Sequence, residues 1–172
     1  MSHKTAWIAA ALLACAVALP AQDNPLSTET KGFYNSVKNN IIKAAEKMPA
    51  EQYAFKATPD VRSFGEIVGH IADSQFMFCS AVKGEEKKSD AEKMTGKAAL
   101  VEALKASTAY CDEAYNSLTD ADAATKVKFF NSQRTKFGIL NINTAHDDEH
   151  YGNLVTYMRL KGLVPPSSEP RK

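Results

Sequence analysis

Four stretches of the sequence repeat apolar residues every three or four positions. This spacing most constrains the fold, because it is the period of a helix with one buried face. The predicted helices cover residues 26–48, 61–82, 98–118 and 137–161. Pro49 ends the first helix, and Gly162, with two prolines close behind it, ends the last. No stretch shows sustained strand-like alternation, so the sequence predicts an all-α fold, a four-helix bundle.

The connection between the second and third helices is unusually long for such a bundle. Its fifteen residues, Lys83–Lys97, are rich in charge. The segment could cross the length of the bundle and leave these two helices parallel, or it could be a solvated loop with one helical turn. In the parallel arrangement Cys79 and Cys111 lie at comparable heights, where a disulfide can form, and two buried free thiols are the alternative. Residues 119–136 are predicted to be a loop held to the bundle by its aromatic side chains.

The first 21 residues have the features of an export signal. A short polar start precedes the almost wholly apolar run Trp7–Leu19, and Leu19-Pro20-Ala21 resembles a signal-peptidase site. We predict a signal peptide over residues 1–21 and a mature domain over residues 22–172, exported to the periplasm or the cell exterior. The apolar run is too short for a transmembrane helix, and no later stretch is expected to span a bilayer. The alternatives are an ordered N-terminal helix and a lipid anchor at Cys15.

The charge balance excludes some classes of partner. The whole chain has 21 basic and 20 acidic residues. Lys4 is the only one of these charged residues in the predicted signal peptide, so its removal leaves 20 of each. The mature domain is then formally neutral with interspersed charges, which argues against a nucleic-acid partner or an anionic membrane surface. The sequence also lacks a glycine-rich phosphate loop and a G-x-S-x-G elbow.

Three histidines remain in the predicted mature domain. His146 and His150 are four residues apart on one helix, so both imidazoles face the same side, and His70 borders the apolar stripe of the second helix. Three neutral imidazoles from two helices predict a divalent metal site with positions left open for water or substrate. Hydrogen-bonded structural histidines are the alternative. Acidic residues that could orient the rings, or could simply form a solvated face, are Asp73, Asp147, Asp148 and Glu149.

The segment His146–His150 also matches the H-x-x-E-H pattern of inverted zincins, in which the glutamate activates a zinc-bound water. That class needs a larger chain and a further ligand well downstream. Only 22 residues follow His150. A peptidase of this type is therefore not favoured.

Two segments, residues 57–73 and 146–166, together resemble the DinB-like metal-binding four-helix bundles. The resemblance implies an up-down-down-up bundle with a long connection between helices two and three. It also implies that His70, His146 and His150 are the metal ligands, with nickel, zinc or iron as the ion. Some members are transferases or isomerases that use a low-molecular-weight thiol, and homodimers are common among relatives.

These observations predict a metal-dependent enzyme that acts on a small-molecule substrate, as a hydrolase or a thiol-dependent transferase. Low-molecular-weight thiol cofactors are scarce outside the cytoplasm. For an exported protein, metal-assisted hydrolysis is therefore at least as reasonable as thiol-dependent transfer. Glu149 and Asp147 are the candidate catalytic residues, because either could position the attacking water. The alternative is a non-catalytic binding or interaction protein whose ion stabilises the bundle.

Overall fold

The computed structural model of the protein describes residues 23–170. The predicted signal peptide and its alternative, a lipid anchor at Cys15, lie outside this range. Within it, no helix combines the length and apolar character needed to cross a membrane.

Four long helices form the bundle, and a short helix and a hairpin precede the last of them. The helices are α1 (Pro25–Lys47), α2 (Phe64–Lys83), α3 (Lys97–Ser117), α4 (Asp120–Ala123) and α5 (Lys136–Leu160). The antiparallel strands β1 (Lys126–Phe129) and β2 (Ser132–Thr135) make the hairpin. Single turns of 3-10 helix lie at Ala50–Gln52, Ala91–Lys93 and Pro166–Ser168.

Helices α2 and α3 run parallel, which is one of the two arrangements that the long connection allows and the one that the family resemblance implies. A disulfide joins Cys79 and Cys111 in the C-terminal halves of the two helices, with their Cα atoms 5.3 Å apart. At the other end, the start of α2 at Gly65 lies against Leu100 in the first turns of α3. We call the connection between these helices, residues 84–96, the crossover. Helix α5 runs antiparallel to α2, because the Tyr157 hydroxyl near its end donates to a carbonyl just before α2 begins. The all-α, up-down-down-up bundle is therefore confirmed.

Local sequence explains where α2 begins. Ser63 and Glu66 form a capping box: the Ser63 Oγ accepts from the Glu66 N–H at 3.2 Å, and the Glu66 carboxylate accepts from the Ser63 N–H at 2.6 Å. Gly84, with φ of 72°, ends the helix in the left-handed conformation. These two caps fix the length of α2 and so place His70 in its second turn.

The prediction of a loop over residues 119–136 was wrong, because this segment folds into α4 and the β1–β2 hairpin. Each strand has only four residues, and β2 (Ser-Gln-Arg-Thr) has no apolar side chain, so the alternation is too short to recognise. Phe129 nevertheless packs on Phe78 of α2, with ring centroids 5.5 Å apart. The hairpin is thus held against the bundle by an aromatic contact.

Gly69 marks the point where the crossover touches α2. A Cβ atom at Gly69 would lie 2.6 Å from the Ala91 carbonyl oxygen and 2.8 Å from the Glu92 Cα. We expect Gly69→Ala to lower the free energy of unfolding by about 1–3 kcal/mol, because backbone must move to make room. Gly152→Ala on α5 is the control: no described atom lies within 4 Å of that Cβ position, and a gain of up to about 1 kcal/mol is expected. Urea unfolding of both variants tests this, and equal effects would contradict it.

Candidate metal centre

Three imidazoles meet between α2 and α5. The Nε2 atom of His146 lies 3.2 Å from Nε2 of His70 and 3.2 Å from Nε2 of His150. One ring nitrogen from each of the three lies within 4.8 Å of the others. His150 is buried and the other two side chains are half-buried. The structure therefore brings together all three histidines that were predicted to bind a metal.

Two of the three separations between ring nitrogens fit ligands of one divalent ion. Two imidazole nitrogens, each about 2.0–2.1 Å from an ion at a near-tetrahedral angle, are about 3.3 Å apart. The two 3.2 Å separations match this value. Three imidazole donors suit zinc, nickel and iron alike, so the donor set does not select among them.

Two of the three histidines, His146 and His150, have pKa values held below the ordinary range. Burial, followed by the neighbouring charges of His150 and His70, lowers the pKa of His146 to about 4. Burial and the nearby His70 also lower the pKa of His150 below its ordinary value. Since only a neutral imidazole can bind a metal ion, the lowered pKa values of His146 and His150 favour the form that binds.

The Nδ1 atoms of the three histidines, which do not face one another, have three different surroundings. Nδ1 of His150 lies 3.3 Å from the Asn153 side-chain amide, and Nδ1 of His70 lies 3.6 Å from a Glu92 carboxylate oxygen. Nδ1 of His146 is buried and has no hydrogen-bond partner among residues 23–170. Sequence reasoning missed Asn153 and Glu92. The position of Asn153, one turn beyond His150 on α5, was a usable signal, whereas Glu92 comes from a crossover without periodicity.

The four acidic residues that were candidates to orient the imidazole rings differ in burial and in their hydrogen-bond partners. Asp147 is fully buried in the bundle, where its Oδ2 accepts from the Gln75 side-chain amide at 2.8 Å and burial raises its pKa to about 8. Asp73 accepts from two backbone N–H groups of the crossover. Asp148 and Glu149 are both exposed. Of the two candidate catalytic residues, only Glu149 lines the pocket beside His150.

An open pocket of about 590 Å³ has one of the three histidines, His150, in its lining. It is bordered by the segment before α2 and by one face of α5, and its lining side chains include Arg62, Glu149, His150, Asn153 and Tyr157. On the opposite side, Phe78 packs against the His146 ring with centroids 5.7 Å apart. A small molecule can therefore reach His150 from the pocket side, while an aromatic contact covers His146.

A family model matches most of the described bundle. Residues 34–154, well over half of the chain, match the model of a family described as the DinB superfamily. Comparison with curated proteins gave no match.

Several solved structures are similar to this chain. A DinB-like protein from Bacillus cereus ATCC 10987 has a TM-score of 0.68 and 21% identity, covering 79% of this chain and 95% of that one. A DinB-like protein from Bacillus subtilis has a TM-score of 0.67 and 22% identity, covering 84% and 99%. A mycothiol-dependent maleylpyruvate isomerase has a TM-score of 0.62 and 13% identity, covering 74% and 60%. At these identities the likeness shows the fold alone.

Proposed function

The chain belongs to the DinB superfamily, and from this premise we propose that it is a metal-dependent enzyme acting on a small substrate. The observation that carries the proposal is the convergence of three imidazole nitrogens beside an open pocket. His70, His146 and His150 would hold one zinc, nickel or iron ion. That ion would supply Lewis-acid catalysis at the inner end of the pocket.

Hydrolysis is the reaction class that the lining residues support best. Glu149 is exposed to the pocket next to His150, where its carboxylate can take a proton from an attacking water. Asp147 is unsuited to that role because it is buried among α2 and α3 side chains and bonded to Gln75. Asn153 orients the His150 ring from the same helix.

A thiol-dependent transfer is the second candidate. The observation in its favour is the fold likeness to a mycothiol-dependent maleylpyruvate isomerase. Export through residues 1–21 favours hydrolysis instead, since thiol cofactors are scarce outside the cytoplasm. The Cys79–Cys111 disulfide supports the proposed export, because such bonds persist in oxidising compartments.

The test is an activity screen on metal-loaded protein, with hydrolase and thiol-transfer substrates in the presence and absence of a chelator. We expect activity that chelation removes and a divalent ion restores. Glu149→Gln should lower kcat by about 10²–10⁴-fold and leave the bound metal in place, because only proton transfer is lost. Asp148→Asn, the adjacent exposed acid, is the matched control and should retain activity.

A protein that binds the ion but is inactive in both screens would support the non-catalytic alternative. Activity that survives chelation would contradict a metal-dependent reaction. A homodimer stays a prediction, which sedimentation of the mature protein can check.

A further inference from the structure

We propose that Glu92 of the crossover is a positioning residue for the metal ligand His70, and that Asp73 and Gly69 hold the crossover where Glu92 can do this. The inference rests on the metal site of the proposed function. It assigns to the crossover a role in building that site, beyond linking two parallel helices.

Asp73 fixes the crossover to α2. Its Oδ1 accepts from the Ala91 N–H at 2.8 Å, and its Oδ2 accepts from the Glu92 N–H at 3.0 Å. Both carboxylate oxygens are therefore used on consecutive backbone groups of the 3-10 turn Ala91–Lys93. Such charge-assisted hydrogen bonds are roughly twice as strong as neutral ones. The backbone of Glu92 is thus held at a set height on α2, one turn beyond His70.

Gly69 brings the same turn into direct contact with the helix. Ala91 is completely buried there, and its carbonyl oxygen occupies space that any side chain at Gly69 would need. Gly69 and Asp73 are four residues apart, so they lie on one face of α2. His70 lies next to Gly69 at the edge of that face. The crossover therefore docks beside the ligand and not at a distant point on the helix.

The Glu92 side chain then bridges two groups of the site. Its Oε1 lies 3.6 Å from Nδ1 of His70 and accepts from Nε of Arg62 at 3.0 Å. The 3.6 Å separation is longer than a hydrogen bond, so the carboxylate acts on the ring through its electrostatic field. The Arg62 carbonyl accepts from the Tyr157 hydroxyl of α5 at 2.6 Å. The carboxylate is thus linked to both helices that supply the histidines.

A carboxylate at this position has a defined effect on an imidazole. It favours the tautomer with the proton on Nδ1, which leaves the Nε2 lone pair free and directed at the other two rings. Within residues 23–170, His70 is the one member of the three with a carboxylate oxygen this close to its Nδ1: His150 meets an amide, and His146 meets no partner. Glu92 therefore pre-orients the ligand that comes from α2.

The test measures Zn²⁺ affinity by competition with a chelator. Glu92→Ala should weaken binding by about 10–100-fold, the usual cost of losing an outer partner of a metal-bound histidine. Glu92→Gln should weaken it less, because the amide oxygen can still accept from Arg62 Nε and place its partial negative charge near His70. Asp73→Asn should weaken it as well, by releasing the turn that carries Glu92. Glu86→Ala, which removes an exposed carboxylate from the same crossover, is the matched control and should bind Zn²⁺ like the wild type.

Zn²⁺ affinity of Glu92→Ala within twofold of the Glu86→Ala value would overturn the proposal. A second readout uses nitrogen-15 NMR of the metal-free protein at neutral pH. The wild type should hold His70 in the Nδ1–H tautomer, and Glu92→Ala should give a mixture. A wild type that binds no Zn²⁺ would overturn the proposed metal site. The positioning role is then judged by NMR alone, where equal tautomer populations in both proteins would refute it.

Discussion

Replacing His146 with alanine is expected to abolish stoichiometric binding of the divalent ion. His146 is the central ligand, since its Nε2 lies 3.2 Å from the corresponding atoms of both His70 and His150. Loss of an outer partner already costs 10–100-fold in affinity, so loss of a direct ligand should exceed about 100-fold. Elemental analysis of the purified variant and chelator competition both measure this.

The same variant should lose the stabilisation that metal provides. At an ion concentration of 100 times Kd, binding to the folded state alone adds about 2.7 kcal/mol, which raises Tm by about 5–10 °C in a domain of this size. His146→Ala should show no such rise, while its metal-free Tm should stay near that of the metal-free wild type. Asp148→Ala, on the same helix and exposed, is the control and should keep the full rise. Wild-type stoichiometry and affinity in His146→Ala would contradict the three-histidine site.

The histidines could be found from sequence because their signal is local. A four-residue spacing places His146 and His150 on one face whatever the rest of the chain does. His70 needed one further step, namely that its helix packs against theirs. The length and charge of the crossover allowed a parallel pairing of α2 and α3 but also a solvated loop, and the family resemblance favoured the parallel arrangement.

Asp147 shows why the catalytic candidates were harder to separate. Sequence places Asp147 and Glu149 on either side of the histidine face, and both are acidic. The structure buries Asp147, together with the polar side chains Asn143 and Thr144, on the face of α5 that packs into the bundle. The amphipathic pattern of a helix assigns polar residues to the solvent-exposed face, so it cannot identify a polar residue that is buried. The Asp147 Oδ2 atom accepts there from the side-chain amides of Gln75 at 2.8 Å and Asn143 at 3.5 Å.

The role of Glu92 could not be predicted from the sequence, for a different reason. Its relation to His70 depends on a tertiary contact in which a backbone carbonyl at Ala91 meets the helix surface at Gly69. A glycine inside a helix indicates close approach of another backbone but not which segment approaches. The charged crossover was therefore recognisable as a long connection, whereas its contribution to the metal site required the packed structure.

Removal of the disulfide is the second large effect that we expect. The double variant Cys79→Ala/Cys111→Ala should lose about 4 kcal/mol of unfolding free energy, because the bond closes a loop with a sequence separation of 32 and so restricts the unfolded chain. Replacing both cysteines avoids leaving a lone buried thiol. Urea unfolding of the variant and of the oxidised wild type measures the loss, which corresponds to a fall in Tm on the order of 10 °C.

Reduced wild-type protein provides the matched control, because it keeps both side chains and lacks only the bond. It should lie close to the double variant in stability, apart from about 1 kcal/mol for the atoms that alanine removes. Zn²⁺ affinity should change little in either protein, since His70 is held from the other end of α2 by the Ser63 cap and the crossover.

The disulfide should also be present in protein that has been exported. Protein produced with residues 1–21 intact and recovered from outside the cytoplasm should contain no titratable thiol in denaturant at Cys79 or Cys111. Two free thiols in such protein, or equal stability of the oxidised and reduced forms, would contradict the disulfide.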